Sequence, residues 1–258
     1  AATLKIHVHT DEPEAAMAAF AGAGEVSHTD IADMRSQVAA RAERAERPPP
    51  RCGALAVVAG AGIAALFESL GARTLDGGPK LNPSTSELLA AIHAVPSEEV
   101  VVLTNDASVV LAAQHAAELS EKDVVVIASR SQQAALAALV AYAPERGAGE
   151  NGAAIEAALA RVRSGSVAPA ARDDADGRFR AGEAVGFVDE TIVAWGEPAT
   201  TLAQVLADLG DGSELITCIA GAGAPLAFEA VATLVPGSVE LEHRDGGQPN
   251  HWWLLSAE

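Results

Sequence analysis

The sequence predicts an α/β protein in which a doubly wound, mostly parallel sheet is followed by a mixed α+β region. Three apolar runs, residues 54–58, 100–103 and 124–128, are continuous rather than alternating. Continuous runs are typical of strands that are buried on both faces of a parallel sheet. Helical patterns separate these runs, and strands that alternate with helices indicate a layered α/β arrangement.

Residues 1–35 predict a small strand–helix–strand unit. Residues 4–8 alternate apolar and polar side chains as a strand does, a helical pattern covers residues 14–20, and a second strand follows near residues 25–31. Pro13 suits the first turn of that helix. Because the unit is too small to bury its own faces, we expect it to be the end of a domain whose earlier part lies outside this sequence.

Residues 36–53 predict a linker, because they are rich in charged residues and alanine and contain three consecutive prolines. A first α/β subdomain is expected over residues 54–165, and a second, mixed α+β subdomain over residues 166–258. The helical patterns of the first subdomain cover residues 62–70, 83–94, 107–119, 132–141 and 152–163. In the second, strands are expected at residues 167–171, 214–220, 238–243 and 252–256, helices at 200–209 and 225–234, and a hairpin at 184–195 that turns at Asp189 and Glu190.

The charge of the chain limits its partners. Lys and Arg number 17 against 35 Asp and Glu, which gives a formal net charge of −18. This field repels nucleic acid and anionic membrane surfaces and favours a partner with a basic face, although acidity also serves solubility. Cys52 and Cys218 form no CxxC pair, and no apolar run is long enough to cross a bilayer. We therefore expect a cytoplasmic protein that binds no nucleic acid and does not insert into membranes.

His7 and His9 form an HxH pattern on the first predicted strand, so both imidazoles point to the same side and are close enough to share one metal ion. A zinc site needs three or four ligands, and the nearby acidic residues are loosely placed for that role. Surface or hydrogen-bonded histidines are the alternative. A metal-dependent hydrolase at this strand would need Asp11 or Glu12 as its general base.

Two segments at predicted helix starts are candidate ligand sites. Asn82 is a suitable N-cap, with Pro83 at the first helical position, and Ser84 and Thr85 would face an anion at that helix start, after a strand-like run. Asn105 follows a buried strand, at the edge where open α/β sheets bind ligands. In both cases helix capping alone is the alternative explanation.

Standard catalytic signatures are absent from the sequence, since no GxSxG, P-loop, HExxH or CxxC motif occurs. Gly60 and Gly62 follow the first buried strand, but Ala65 stands where a dinucleotide-binding loop has its third glycine. We expect these glycines to allow a tight turn from strand to helix.

Five segments along the chain carry a resemblance. They are HVHTDEP at residues 7–13, IADMRSQ at 31–37, GGPKLNPSTSELL at 77–89, LTND at 103–106 and GGQPNHWWLLS at 246–256. In this order they resemble the large subunit of bacterial fatty acid kinase, often labelled a dihydroxyacetone-kinase-like fusion protein.

The resemblance implies a three-part protein with an ATP-binding kinase domain, a middle domain, and a C-terminal domain similar to DegV-like acyl-carrier subunits. ATP and magnesium then belong to a kinase domain outside this sequence, and the chain alone is not an enzyme. His7 and His9 become zinc ligands that a cysteine from an earlier part of the middle domain completes. Ser84 and Thr85 take a place similar to the hydroxyls with which DegV-like proteins hold a fatty acid carboxylate.

From this resemblance we expect a docking module that holds the acyl-carrier subunit so that its fatty acid can be phosphorylated. The alternative is direct binding of a fatty acid or another carboxylate by the DegV-like domain. A homodimer is also compatible with the family.

Overall fold

The computed structural model describes residues 10, 12–20, 50–237 and 239–258 of the chain. The chain divides into two units, Ala1–Pro48 and Pro49–Glu258. In the first unit the predicted helix is confirmed as α1 (Pro13–Phe20). Both strands predicted beside it, and most of the predicted linker, lie outside the described residues.

The first sheet of the second unit has four parallel strands in the order β2–β1–β3–β4. They are β1 (Cys52–Val58), β2 (Ala72–Asp76), β3 (Glu99–Leu103) and β4 (Asp123–Ile127). The three continuous apolar runs are therefore strands, as predicted. β1 is buried along its whole length, because it lies in the middle of the sheet under helices on both faces.

Helices cover both faces of this sheet, which confirms the doubly wound arrangement. They are α2 (Ala61–Ser69), α3 (Thr85–Ala94), α4 (Val110–Leu119), α5 (Gln132–Ala138) and α6 (Ala148–Leu159), with short 3₁₀ turns at Ala107–Val109 and Leu139–Ala141. The apolar side chains of α3 and α4 pack with one face of the sheet, for example Leu88 and Ile92 with Val102. Those of α2, α5 and α6 pack with the other face, for example Ile63 and Ile155 with Val101.

Both predicted boundaries of the last helix in this subdomain are wrong. The helix predicted at residues 152–163 begins at Ala148 and ends at Leu159. Its start is fixed by the Glu99 carboxylate, which accepts a hydrogen bond from the Ala148 N–H at 2.6 Å. The two glycines in its first turns weaken the helical pattern, but Gly152 is needed because a Cβ there would lie 2.8 Å from a methyl group of Val125.

The second sheet is mixed, with six strands in the order β7–β6–β5–β10–β8–β9, of which only β8 and β9 are parallel neighbours. The strands are β5 (Arg163–Pro169), β6 (Ala184–Val188), β7 (Thr191–Gly196), β8 (Leu215–Ala220), β9 (Glu240–Asp245) and β10 (Trp253–Ala257). The predicted hairpin is confirmed, and Asp189 and Glu190 make its turn with φ angles of 45° and 68°. Positive φ at both turn residues is typical of a tight turn between antiparallel strands.

Each face of the second sheet has a different neighbour. One face packs against α7 (Pro198–Gly210), whose buried Leu202, Val205, Leu206 and Leu209 repeat at helical spacing. On the other face, Ile219 and Leu254 join the core of the first subdomain. A short helix, α8 (Phe228–Ala232), replaces the longer one predicted at residues 225–234. In the described part of the chain, no helix has the length and apolar character needed to span a membrane.

Candidate functional site

A cleft of about 400 Å³ lies between the first sheet and the second. On one side it is lined by residues that directly follow β1, β3 and β4, including Ala59, Asn105 and Arg130. On the other side lie Ser166 on β5 and Leu254 on β10. The carboxyl ends of parallel strands are where open α/β sheets bind ligands, so this cleft is the candidate functional site.

The start of α5 supplies three polar side chains to the cleft, from Ser131, Gln132 and Gln133. Gln132 accepts a hydrogen bond from the Ala59 N–H at 2.8 Å through Oε1. Gln133 donates from Nε2 to the Gly165 carbonyl at 3.0 Å, which joins α5 to β5. The Gln133 Oε1 atom is buried and has no hydrogen-bond partner among the described residues.

Charged groups in the cleft are balanced. Arg130 and Glu190 form an ion pair at 2.9 Å that connects the end of β4 with the β6–β7 turn. Lys80 and Asp106 add one further charge of each sign. Burial lowers the pKa of His251, and nearby Asp106 opposes that shift only in part, so we expect this imidazole to be neutral at pH 7.

The two glycine-rich segments noted in the sequence meet at one edge of the cleft. The Gly246 carbonyl accepts hydrogen bonds from the N–H groups of Gly62 and Ile63 at 3.0 and 3.1 Å. A Cβ on Gly62 would lie 2.0 Å from the Asp245 carbonyl oxygen. These amides at the start of α2 therefore bind the chain itself, which agrees with the prediction that the segment at residues 60–62 is no dinucleotide loop.

Asn105 lies at the cleft, and both ends of its side-chain amide make a hydrogen bond within the protein. Its Nδ2 donates to the Val57 carbonyl at 2.8 Å, and its Oδ1 accepts from the Ser129 hydroxyl at 2.9 Å. Its backbone has φ 60°, a conformation that asparagine tolerates better than most residues. Asn105 thus holds the ends of β1, β3 and β4 together, and a role in ligand binding stays a prediction.

The predicted capping role of Asn82 is wrong, because α3 begins later than expected. Ser84 is the N-cap, and it forms a capping box with Glu87. The Ser84 hydroxyl and backbone N–H both donate to the Glu87 carboxylate, at 2.7 and 2.8 Å, and they hold its pKa below the ordinary value. The segment before α3 contributes Pro79, Lys80 and Leu81 to the cleft lining. Asn82, Ser84 and Thr85 do not line the cleft.

Comparison with known families decides what the chain is related to. A profile for the C-terminal domain of FakA-like fatty acid kinase subunits matches residues 53–258. A second profile, for the middle domain of the same subunits, matches residues 1–41.

The chain belongs to the FakA-like family of fatty acid kinase subunits.

Relatives and solved structures agree with this assignment to the FakA-like family. Protein YloV of Bacillus subtilis is 30% identical over 98% of the chain, and the chain spans about half of that relative's length, 49%. A DegV family protein, Cg2579 of Corynebacterium glutamicum, superposes on 81% of the chain and 97% of its own length with a TM-score of 0.56 at 15% identity. DegV of Bacillus subtilis, a fatty acid binding protein, superposes on 80% of the chain and 98% of its own length with a TM-score of 0.51 at 14% identity. At these identities the structures show the fold alone, and they confirm the predicted DegV-like architecture.

The predicted metal ligands His7 and His9 lie outside the described residues, so their role in this FakA-like chain stays a prediction. Among the residues that the structure describes, no group of three or more His, Cys, Asp and Glu side chains is placed to hold a metal ion.

Sequence reasoning misses most of the polar cleft. Of the predicted site residues that the structure describes, only Asn105 lines it. Gln133 and Gln248 are both buried, and each has an Oε1 atom without a partner in the described part of the chain. Their signal in the sequence is the pair of glutamines after the third apolar run and the GGQP segment at residues 246–249, both at expected carboxyl ends of strands.

Proposed function

We propose that this chain is the docking part of a FakA-like fatty acid kinase and takes no part in the chemistry itself. It would hold a DegV-like acyl-carrier subunit so that the bound fatty acid reaches a kinase domain outside this sequence. Membership of the FakA-like family supports a kinase component. The acyl-carrier partner is part of this proposal because a fatty acid kinase subunit is expected to work with a subunit that presents the fatty acid.

The position of Ser84 is the observation that favours docking over direct binding of a fatty acid. A DegV-like domain that holds a carboxylate through the hydroxyls predicted at the start of α3 would have to offer Ser84 or Thr85 free beside its cleft. Here the Ser84 hydroxyl belongs to the capping box of α3, outside the cleft lining. Pro79 and Lys80, which do line the cleft from the segment before α3, carry no hydroxyl.

The net charge of −18 favours a partner with a basic surface. One cluster of acidic residues is suited to a test of this charge-assisted docking. The exposed residues Glu214, Glu240 and Glu258 lie side by side at one end of the six-stranded sheet, which we call the acidic end. The Glu240 N–H donates to the Glu214 carbonyl at 2.9 Å, and the Glu214 N–H donates to the Glu258 carbonyl at 2.8 Å. None of the three takes part in an ion pair among the described residues.

The test is a calorimetric titration of the chain, at two salt concentrations, with a fatty-acid-loaded acyl-carrier subunit. We expect saturable binding that weakens when salt is raised, because salt screens attraction between exposed charges. Reversing two charges of the acidic end, Glu214→Lys with Glu240→Lys, should weaken binding about tenfold at low salt. Mass spectrometry of the purified chain should find no co-purified fatty acid.

A matched control changes the net charge by the same amount elsewhere. Glu118 on α4 and Glu156 on α6 are exposed on helices of the first subdomain, so Glu118→Lys with Glu156→Lys should leave the affinity nearly unchanged. Equal weakening by both pairs would show that total charge governs binding and that the acidic end does not. Absence of binding at either salt by the folded chain would refute docking.

We also propose that His7 and His9 hold zinc in the longer protein, together with a ligand outside this sequence. Two imidazoles alone bind zinc weakly, so the 258-residue chain should lose its zinc on dialysis. Zinc analysis of the longer protein before and after His7→Ala and His9→Ala checks this. Undiminished zinc in the double variant would remove both residues as ligands.

A further inference from the structure

The unpaired oxygen of Gln133 indicates that the cleft needs a hydrogen-bond donor. The orientation of this amide is fixed, because its other end faces the Gly165 carbonyl, which can only accept. The Oε1 atom therefore faces away from Gly165, and the residue is 4% exposed. Buried acceptors in folded proteins are almost always paired, so a partner that donates a hydrogen bond is expected here.

The neighbours of Gln133 add both a donor and a hydroxyl. Gln132 uses its Oε1 for the Ala59 N–H, which leaves its Nε2 as a donor at the cleft. Ser131 is the N-cap of α5, yet its hydroxyl makes no capping hydrogen bond. An acceptor, a donor and a hydroxyl thus lie on three consecutive residues, and ligand hydroxyls can pair with all three because they both donate and accept.

The opposite wall of the cleft, on the second sheet, carries both hydroxyl groups and apolar side chains. Ser164 and Ser166 are two residues apart on β5, so their side chains share one face of the sheet. Phe187 and Leu254 are the cross-strand partners of Ser166, and all four residues line the cleft. Serine hydroxyls beside carbon surface suit a molecule whose own hydroxyls alternate with carbon atoms.

The charges of the cleft disfavour an anion. Arg130 is already paired with Glu190, and Lys80 and Asp106 contribute one charge of each sign to the lining. A carboxylate at neutral pH would also place acceptor oxygens against the unpaired acceptor of Gln133. An uncharged ligand that donates hydrogen bonds avoids both conflicts.

We propose that the cleft binds a small uncharged polyol, held by Ser131, Gln132 and Gln133 on one wall and by Ser164 and Ser166 on the other. A volume of about 400 Å³ is near the lower end of ligand pockets, which suits a short-chain polyol. This site is independent of the docking function and does not require the partner subunit.

The experiment is ligand-detected NMR on the 258-residue chain with glycerol, erythritol and ribitol as probes, and with hexanoate and inorganic phosphate for comparison. We expect saturable binding of at least one polyol and none of the two anions. Ser131→Ala and Gln133→Met should each weaken polyol binding about fivefold, the effect of losing one hydrogen bond. The control Ser213→Ala, whose hydroxyl bonds the Leu209 carbonyl away from the cleft, should not change it.

Three results would overturn the proposal. They are the absence of saturable polyol binding, saturable binding of hexanoate or phosphate in its place, and polyol binding that is the same in wild type and cleft variants. Circular dichroism checks that each variant is folded. If Gln133→Met does not fold, Ser131→Ala decides the outcome alone, because its hydroxyl caps no helix in this structure.

Discussion

Replacement of Asn105 tests whether this residue serves the structure or a ligand. The side chain belongs to a residue that is 2% exposed, and it makes two hydrogen bonds that join β1 and the end of β4 to the end of β3. The backbone adopts φ 60°, which glycine tolerates freely and alanine does not. Asn105→Gly therefore removes the amide alone, whereas Asn105→Ala removes the amide and adds backbone strain.

The expected loss of stability in each variant follows from the lost amide hydrogen bonds and from the backbone strain. Losing the amide leaves the Val57 carbonyl and the Ser129 hydroxyl short of a buried partner, so Asn105→Gly should lower the free energy of unfolding by about 2–3 kcal/mol. For Asn105→Ala the left-handed backbone adds ~1–2 kcal/mol, partly offset because glycine makes the unfolded chain more flexible. The alanine variant should therefore be less stable than the glycine variant by about 1 kcal/mol.

Urea denaturation followed by circular dichroism measures the free energy of unfolding of the wild type and of both variants. Equal stability of the glycine and alanine variants would refute the backbone part of the reasoning. A loss of less than about 1 kcal/mol in Asn105→Gly would refute the network part, since typical buried polar losses are larger. In that case the Asn105 amide would be free to serve a ligand, as the sequence suggests.

Two further predictions concern local hydrogen bonds. Ser84→Ala removes the capping box of α3 and should cost about 1 kcal/mol in urea denaturation, whereas Asn82→Ala should cost little because Asn82 is not the cap of α3. Asp174 has its pKa lowered from 3.8 to about 2, chiefly by hydrogen bonds from the Arg178 guanidinium. A lowered carboxyl pKa gives stability that is complete above the unfolded value and is lost as pH falls through the folded one, so the Asp174–Arg178 contact should break as the pH falls from about 3 to about 1. Because Arg178 lies 5.7 Å from the Trp195 ring centroid, Trp195 fluorescence should change in this range, and the change should be absent in Asp174→Asn.

The fold can be predicted from the sequence where burial leaves a continuous pattern. β1, β3 and β4 have long apolar runs because they lie under helices, and Asp189 and Glu190 mark a turn between two strands. β2 is visible in the sequence only as a strand-like run, because it carries the polar residues Arg73, Thr74 and Asp76, of which Arg73 and Asp76 are exposed. The predicted start of α6 is wrong because a tertiary contact, the hydrogen bond from the Ala148 N–H to Glu99, decides it.

The site is less predictable, because its polar groups come from distant parts of the chain. Local reasoning places hydroxyls at a helix start, and Ser84 is indeed at one, but its orientation into a capping box is decided by Glu87 three residues later. Gln133 has no local motif that marks it as a cleft residue. Its position depends on β5, and Gly165, its hydrogen-bond partner, is 32 residues away in the sequence.

The contact between the segment at residues 60–62 and Gly246 explains why two separate glycine segments belong to one structural feature. Considered locally, the first predicts a tight turn and the second is a family signature. In the fold, the second segment caps α2 through the Gly246 carbonyl, and Gln248 of the same segment donates to the Ile219 carbonyl at 3.0 Å. A Cβ atom on Gly62 would lie 2.0 Å from the Asp245 carbonyl oxygen, and one on Gly246 would lie 2.1 Å from Oε1 of Gln248, so a side chain at either position would collide with this connection. The segment joins the second sheet to the start of α2, so its glycines fix one wall of the cleft. Glycine is required there because residues from distant parts of the chain leave no space for a side chain.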